Sequence, residues 1–292
     1  MWFIIYSITM KSINGYFIGQ GGFNLYYRGW LPKQNPRTIV FIIHGLAEHS
    51  GRYTEIATFL VEENYCVFCH DHQGHGFSGG SRGYIRHFAT YTKDLISFID
   101  IISEKYPHIP IFLLGHSIGG TIAIDYCIEN QGNVDGLILS APTLLKGESI
   151  KKWQIILAKI LSVIAPKAGV DRLDSSTISK DPAVVNAYRN DKLVYSGKLS
   201  ARLGSEILKT IELLPQEMNK IKLPVLIMQG SEDKLVSPDG SKKTFQMVSS
   251  TDKTLKIYEG LYHEIMNEPE KDMVYKDISE WISKRLSLRK GA

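Results

Sequence analysis

Apolar residues along this chain fall in short continuous runs rather than in alternation. Thr38–His44 is such a run and is closed by Gly45; similar ones follow at Tyr65–His70, Pro110–Gly115, Val134–Ser140, Pro224–Gln229 and Thr254–Glu259. A strand reads this way when both of its faces are covered, as in a parallel sheet. Helix-like segments lie between most of them, at Tyr53–Glu62, Tyr91–Glu104 and Ile118–Asn130. Upstream, Gly15–Gln20 and Phe23–Trp30 flank Gly21-Gly22 and predict a hairpin. Strand–helix alternation after an opening hairpin predicts a mostly parallel sheet of about eight strands flanked by helices.

The rhythm breaks once. From about Leu144 to about Met218 there is amphipathic and loop-like sequence but no buried strand. This predicts a helical cap, 144–218, inserted after the sixth strand into a core made of 1–143 and 219–292. Within it, Ile150–Ile164 places Lys151, Lys152, Gln154, Lys159 and Ser162 on one helical arc, interrupted by Ile155. The rest is Trp153, Ile156, Leu157, Ile160, Leu161, Val163 and Ile164. A buried lid helix and an interfacial helix with lysines toward lipid head groups share this pattern.

Composition narrows the field modestly. The 292 residues are 43% hydrophobic with a net charge of +4, enough for a large core and too mild and scattered a charge for nucleic acid. Three cysteines without framework spacing predict reduced thiols and a cytoplasmic protein. Met1–Met10 is apolar but lacks a basic start and a cleavage site, so no signal peptide is expected, and Met10 is an alternative start. No run approaches the roughly 18 apolar residues that span a bilayer.

The candidate chemistry centres on Gly115-His116-Ser117-Ile118-Gly119, a G-x-S-x-G with a strand before it, a helix after it and a second glycine at 120. That is the context of a nucleophile elbow, in which a tight turn lifts the serine hydroxyl clear of the sheet. It predicts the α/β-hydrolase fold. A serine hydroxyl needs a base to take its proton. In this fold the order is serine, acid, histidine, and His263 lies in the loop after the last strand. The loop after the seventh strand offers Glu232 and Asp233; the apolar pair Leu235-Val236 following Asp233 favours the latter, with Glu232 as the competitor. Backbone N–H groups of Ile118 and Leu46 are the candidate oxyanion donors.

Two other patterns compete. Gly74-His75-Gly76-Phe77-Ser78-Gly79 matches G-x-G-x-x-G but is not in the first strand–helix unit, which a dinucleotide site requires. His70, His72 and His75 with Asp71 resemble metal ligands without the further carboxylates of a metallohydrolase, and Cys66 and Cys69 form a CxxC inside a strand-like run. No cofactor and no metal is expected.

From about Asn24 to Lys284 the chain resembles the monoacylglycerol lipases and related lysophospholipases. The resemblance rests on His44–Tyr53, on Asp71–Ser78 as a D-x-x-G-H-G-x-S turn, and on Gly115–Gly120. It also rests on Leu173–Ser176, Asn190-Asp191 and Leu193-Val194 in the cap, and on Asp252–His263. It implies a serine hydrolase acting through an acyl-enzyme on a monoacylglycerol or a lysophospholipid. It also implies that Glu48, Arg52, His116 and Tyr188 bind the glycerol head, although Glu48 and Arg52 are also spaced to pair with each other. The chain departs from the family at Leu46-Ala47, bulkier than the usual Ala-Gly, and at Lys192, where proline is common. A general carboxylesterase and a non-catalytic binding protein on the same scaffold are the competing functions. Peripheral membrane contact through the cap is a further expectation.

Overall fold

In the computed structural model, residues 10–144 and 152–290 are described. Strands β1 (Lys11–Ile18) and β2 (Asn24–Leu31) form the hairpin, joined through the turn at Gln20–Gly22. The sheet continues with β3 (Thr38–Ile43), β4 (Tyr65–His70), β5 (Ile111–His116) and β6 (Gly136–Ser140). Two short strands, β7 (Gly169–Asp171) and β8 (Leu199–Ser200), pair with each other apart from it, and β9 (Val225–Gly230) and β10 (Lys253–Tyr258) complete it. The order of the eight-stranded sheet is β1-β2-β4-β3-β5-β6-β9-β10. β1–β2 and β2–β4 are antiparallel and every other pair is parallel.

The continuous apolar runs follow from burial on two sides. In β3, Ile39, Phe41 and Ile43 join the core under α2 (Ala89–Lys105) and α3 (Ile118–Asn130). Val40 and Ile42 join the core under α1 (Thr54–Glu62) and α8 (Lys271–Lys290). The same alternation separates Cys66 from Cys69: they lie on β4 but in opposite cores, so they form neither a redox pair nor half a metal site. Burial pushes the Cys66 thiol up to about 12, which keeps it unreactive.

Between β6 and β9 the chain leaves the sheet. It forms α4 (Lys152–Ile164), β7, α5 (Pro182–Asn190), β8 and α6 (Ala201–Leu213), and then re-enters the sheet ahead of α7 (Pro238–Met247). α4 packs on α6. Ile178, Val185, Tyr188 and Val194 make a small core of their own, against Leu173 and Leu235. The insertion is tied down over the sheet edge: Tyr195 N–H donates to Ala47 O at 2.8 Å and Ser200 N–H to Gly83 O at 2.9 Å. His49 Nε2 meets Asp191 Oδ2 at 2.8 Å. The short β7–β8 pair had no apolar signature because β7 is exposed along its length. Residues 145–151 and the side chains of Trp153 and Leu157 lie outside the described residues.

Packing against backbone is very tight at the elbow. A Cβ on Gly119 would sit 2.0 Å from Ile43 O, and one on Gly115 2.5 Å from Gly119 O. Gly119→Ala therefore forces β3 and α3 apart. We expect it to lower stability by about 1–3 kcal/mol, as overpacking does, read as a fall in the urea midpoint. An unchanged midpoint would show that the contact yields without cost.

Candidate active site

Ser117 lies between the end of β5 and the start of α3, with φ 55° and ψ −120°. Positive φ strains a residue with a side chain, and it is enforced here by glycines on either side of the turn. Ser117 N–H donates to Ser140 O at 2.9 Å, and Thr143 N–H donates to Ser117 O at 3.1 Å, which fixes the turn to the end of β6. Ser117 Oγ lies 3.3 Å from Thr143 Oγ1. It makes no hydrogen bond to His263 among the described residues, and such bonds often close only when substrate binds.

His263 and Asp233 are a buried pair. His263 Nδ1 meets Asp233 Oδ2 at 2.7 Å. Asp233 Oδ1 accepts from the N–H groups of Leu235 and Val236 at 2.8 and 2.9 Å, and Oδ2 also accepts from Gln229 Nε2 at 2.8 Å. Burial alone would raise the Asp233 pKa; the His263 ring and these donors outweigh it and hold the carboxyl below its usual range. Burial alone would lower the His263 pKa; the Asp233 charge and hydrogen bond outweigh it and raise it. Glu232 is exposed, and its backbone N–H is spent on Leu261 O at 3.0 Å. The turn after β9 sends Asp233, not Glu232, toward the histidine.

The N–H groups of Leu46 and Ile118 have no acceptor among the described residues. Ile118 is the first residue of α3, where helical N–H groups are free by construction. Leu46 precedes Ala47, whose φ is +67°. A cavity of about 20 Å³ brings Leu46, Glu48, His116, Ser117, Tyr188 and His263 together, with Leu173 and Ile178 above them. It has room for about one water and none for a glycerol head. A larger cavity, about 300 Å³, lies at the opposite end of the sheet between Phe112, Asp135, Asp252 and Arg285. Its charged groups pair among themselves, Arg285 with Asp252 and Arg289 with Asp135, and it is remote from Ser117.

The head-group candidates divide. His116 lines the cavity, with Nδ1 3.2 Å from both Ser140 O and Ser140 Oγ. Burial and the neighbouring His263, 4.8 Å away between ring centroids, lower its pKa to about 4, so it is neutral. Tyr188 Oη is buried with no partner among the described residues. Glu48 and Arg52, by contrast, bond to each other at 2.7 Å. Arg52 does not line the cavity.

Three residues here were not singled out from the sequence: Thr143, Gln229 and Glu264. A polar residue closing the otherwise apolar β9, and a carboxylate directly after His263, are the marks that point to the last two. Ser241 Oγ donates to Gln229 Oε1 at 2.8 Å and so extends the chain of bonds behind Asp233.

The competing patterns resolve as architecture. Asp71 accepts from Ser50 N–H at 2.7 Å and Phe77 N–H at 2.8 Å, so the glycine-rich turn braces the loop after β3. His44 Nδ1 donates to Gly45 O at 2.7 Å and its Nε2 accepts His72 N–H at 2.9 Å. His44, His70, His72 and His75 are all held below the histidine range, by burial first, His70 to about 3 and His75 to about 4. Among the described residues no three of His, Cys, Asp or Glu are arranged to hold a metal.

A doubly covered, mostly parallel sheet with a strained serine at the end of its central strand defines an α/β hydrolase. Residues 34–270 match the family described as serine aminopeptidase, S33. A monoacylglycerol lipase of Mycolicibacterium smegmatis is 36% identical over 270 residues, covering 92% of this chain and 96% of that protein. Phospholipase YtpA of Bacillus subtilis is 39% identical over 248 residues, covering 82% and 93%. The crystal structure of a soluble variant of monoglyceride lipase from Saccharomyces cerevisiae, in complex with a substrate analog, superposes with a TM-score of 0.85. That match is at 28% identity and covers 96% of this chain and 98% of that one. The chain belongs to the monoacylglycerol lipase family of α/β hydrolases, whose domain is of the serine aminopeptidase S33 type.

If Asp233 orients the histidine, Asp233→Asn should lower kcat by roughly 10⁴-fold, with Glu232→Gln within a few-fold of the parent. A base must be unprotonated to act, so activity falls as pH drops through the His263 pKa. Because that pKa is raised, the acid limb of kcat/KM should lie above the ordinary histidine range, and Asp233→Asn should move it down. Steady-state rates across pH check both points; a limb at or below the ordinary value in the parent would contradict the pairing.

Proposed function

We propose that this protein hydrolyses the ester bond of monoacylglycerols, giving glycerol and a fatty acid through an acyl-enzyme. The observation that carries the reading is Ser117 on a strained elbow in the same cavity as His263, whose ring is paired with the buried Asp233. Ser117 Oγ attacks the ester carbonyl as His263 Nε2 takes its proton. Asp233 holds the ring with Nδ1 protonated and stabilises the imidazolium. The N–H groups of Leu46 and Ile118 receive the negative charge that grows on the carbonyl oxygen. The imidazolium then protonates the departing glycerol oxygen. Water, activated by the same histidine, hydrolyses the acyl-enzyme and restores Ser117.

Tyr188 Oη and His116 Nε2 supply free polar atoms for the glycerol head. Burial keeps the Tyr188 hydroxyl protonated and therefore a donor. Lysophospholipids are the second reading, favoured by the likeness to Phospholipase YtpA; a general carboxylesterase is the third.

Residues 144–218 act in this reading as a cap over the core formed by 1–143 and 219–292. On α4, Ile156, Ile160, Val163 and Ile164 are 59%, 52%, 75% and 73% exposed, whereas Ser162 is buried and bonds Lys159 O at 2.7 Å. Apolar side chains so exposed, with Lys159 beside them, suit an interfacial helix that collects substrate from a lipid surface. Among the described residues no helix is long and apolar enough to cross a membrane. Three buried, unpaired cysteines accord with a cytoplasmic protein that works at such a surface.

Ser117→Ala should lower kcat by up to ~10⁶-fold with the fold intact. Turnover of a panel of monoacylglycerols, lysophospholipids and diacylglycerols ranks the substrates, and a tenth of the activity surviving in the alanine variant would refute the mechanism. For the interfacial role, Ile160→Asp with Val163→Asp should weaken turnover of a long-chain monoacylglycerol presented in vesicles, and leave a soluble butyrate ester unaffected. Equal losses on both would assign α4 to folding alone.

A further inference from the structure

Arg52 sits where three parts of the molecule meet. Its Nη1 donates to Glu48 Oε2 and to Glu264 Oε1, and its Nη2 to Glu264 Oε2, each at 2.7 Å. Its guanidinium lies 4.6 Å from the centroid of the Tyr188 ring on α5. Glu48 turns back on its own loop: Oε1 accepts Gly45 N–H at 2.6 Å and Tyr53 Oη at 2.7 Å. Gly45 is joined directly to Leu46, whose N–H is an oxyanion donor. Glu264 follows His263, takes a further bond from Asn267 Nδ2 at 2.8 Å, and gives its own N–H to Ile178 O at 2.8 Å. Both carboxylates are buried, and every oxygen of both is occupied.

Glu48 and Glu264 also line the cavity, but each of their oxygens already holds a donor, so a glycerol hydroxyl would reach them only by sharing an occupied oxygen. A planar fork between two carboxylates instead fixes their spacing, which a flexible point charge does not. We infer that Arg52, with Glu48 and Glu264, is a clamp that sets the distance between the oxyanion loop and the histidine loop. All three are then positioning residues rather than ligands of the head group. The inference rests on the hydrolase reading above and adds Glu264 to it. Burial alone would raise the Glu264 pKa; the Arg52 fork outweighs it and keeps the carboxylate ionised. The clamp therefore carries two negative charges on one positive charge. The groups facing His263 are Asp233, Glu264, Glu48 and the neutral His116, with Arg52 bonded to both glutamates.

The test uses Glu264→Gln, which keeps the shape and removes the charge and one acceptor, and Arg52→Lys, which keeps the charge and removes the fork. Each is assayed on a monoacylglycerol and on p-nitrophenyl acetate, which has no glycerol. A clamp misplaced by about 1 Å predicts a roughly 100-fold loss of kcat on both esters. The monoacylglycerol KM should change by less than about threefold, because no ground-state contact is lost. Loss of a negative charge beside His263 lowers its affinity for a proton, so the acid limb of kcat/KM should move to lower pH in Glu264→Gln. Should that variant fail to fold, Arg52→Lys carries the same two-ester comparison. A raised monoacylglycerol KM with p-nitrophenyl acetate unaffected would make these residues head-group ligands and overturn the clamp. Parent-like kinetics on both esters would overturn it as well. Failure of the parent protein to label at Ser117 with a fluorophosphonate would sink the hydrolase reading itself, which separates that failure from the failure of the clamp.

Discussion

Ser117 is held at positive φ by a turn that tolerates no side chain at its flanks, and the rest of the site is arranged around that constraint. Gly119 lies so close to Ile43 O that the end of β3 and the start of α3 share one fixed spacing. The loop after β3 therefore starts from a set point, and Leu46 and Ile118 present free N–H groups from two elements whose separation cannot drift. Strain at one residue costs of order 1–3 kcal/mol. The two apolar cores above and below the sheet supply far more, which is why the chain can hold it.

The second layer of the site is a set of buried polar bonds that reach across loops distant in sequence. Gln229 and Ser241 fix Asp233, and the His44–His72 pair fixes the loop after β3 from beneath. Glu268 accepts from Tyr262 N–H at 2.9 Å and Ser179 Oγ at 2.8 Å, joining the histidine loop to the insertion. Each of these groups would be costly to bury alone, and each is satisfied by a partner on a different loop. The loops are consequently rigid without being part of any helix or strand. That suits a reaction in which the base, the nucleophile and the oxyanion donors come from separate turns.

How much of this was legible in the sequence depends on the range of the signal. The inner strands β3, β4, β5, β6 and β9 were legible within a residue or two because burial on both faces writes an apolar run at the local level, whereas the exposed edge strand β1 starts at Lys11, four residues before the expected Gly15. The elbow was legible for a similar reason, since its glycines and serine are contiguous. What sequence left open were pairings across long separations. The sequence favoured Asp233 over Glu232 only through the apolar pair that follows it; what fixes the choice is how the turn at Gly230 faces Leu261, a segment about thirty residues away in sequence. Glu264 looked like any charged residue on a loop until Arg52, from a distant loop, closed on it. In α4 the helical arc was visible, but its direction was not, because the arc is set by α6 behind it. The buried Ser162 and the exposed Ile160 reverse the simple expectation of polar side out.

The charges of the site are sorted by side. Asp233, Glu264 and Glu48 all lie around His263, and Arg52 opposes the two glutamates. Among the described residues no side-chain cation lines the cavity at Leu46 and Ile118; in the proposed reaction two neutral N–H groups and the start of α3 serve there instead. In the proposed reaction positive charge develops on His263 and negative charge on the carbonyl oxygen. Fixed negative groups at the first and N–H dipoles at the second stabilise both ends of that separation together. An arginine directed at the oxyanion would instead bind the product fatty acid carboxylate strongly and slow its release. Keeping the Arg52 guanidinium bonded to two glutamates and outside the lining of the cavity avoids that trap, while its charge offsets the repulsion between the two carboxylates.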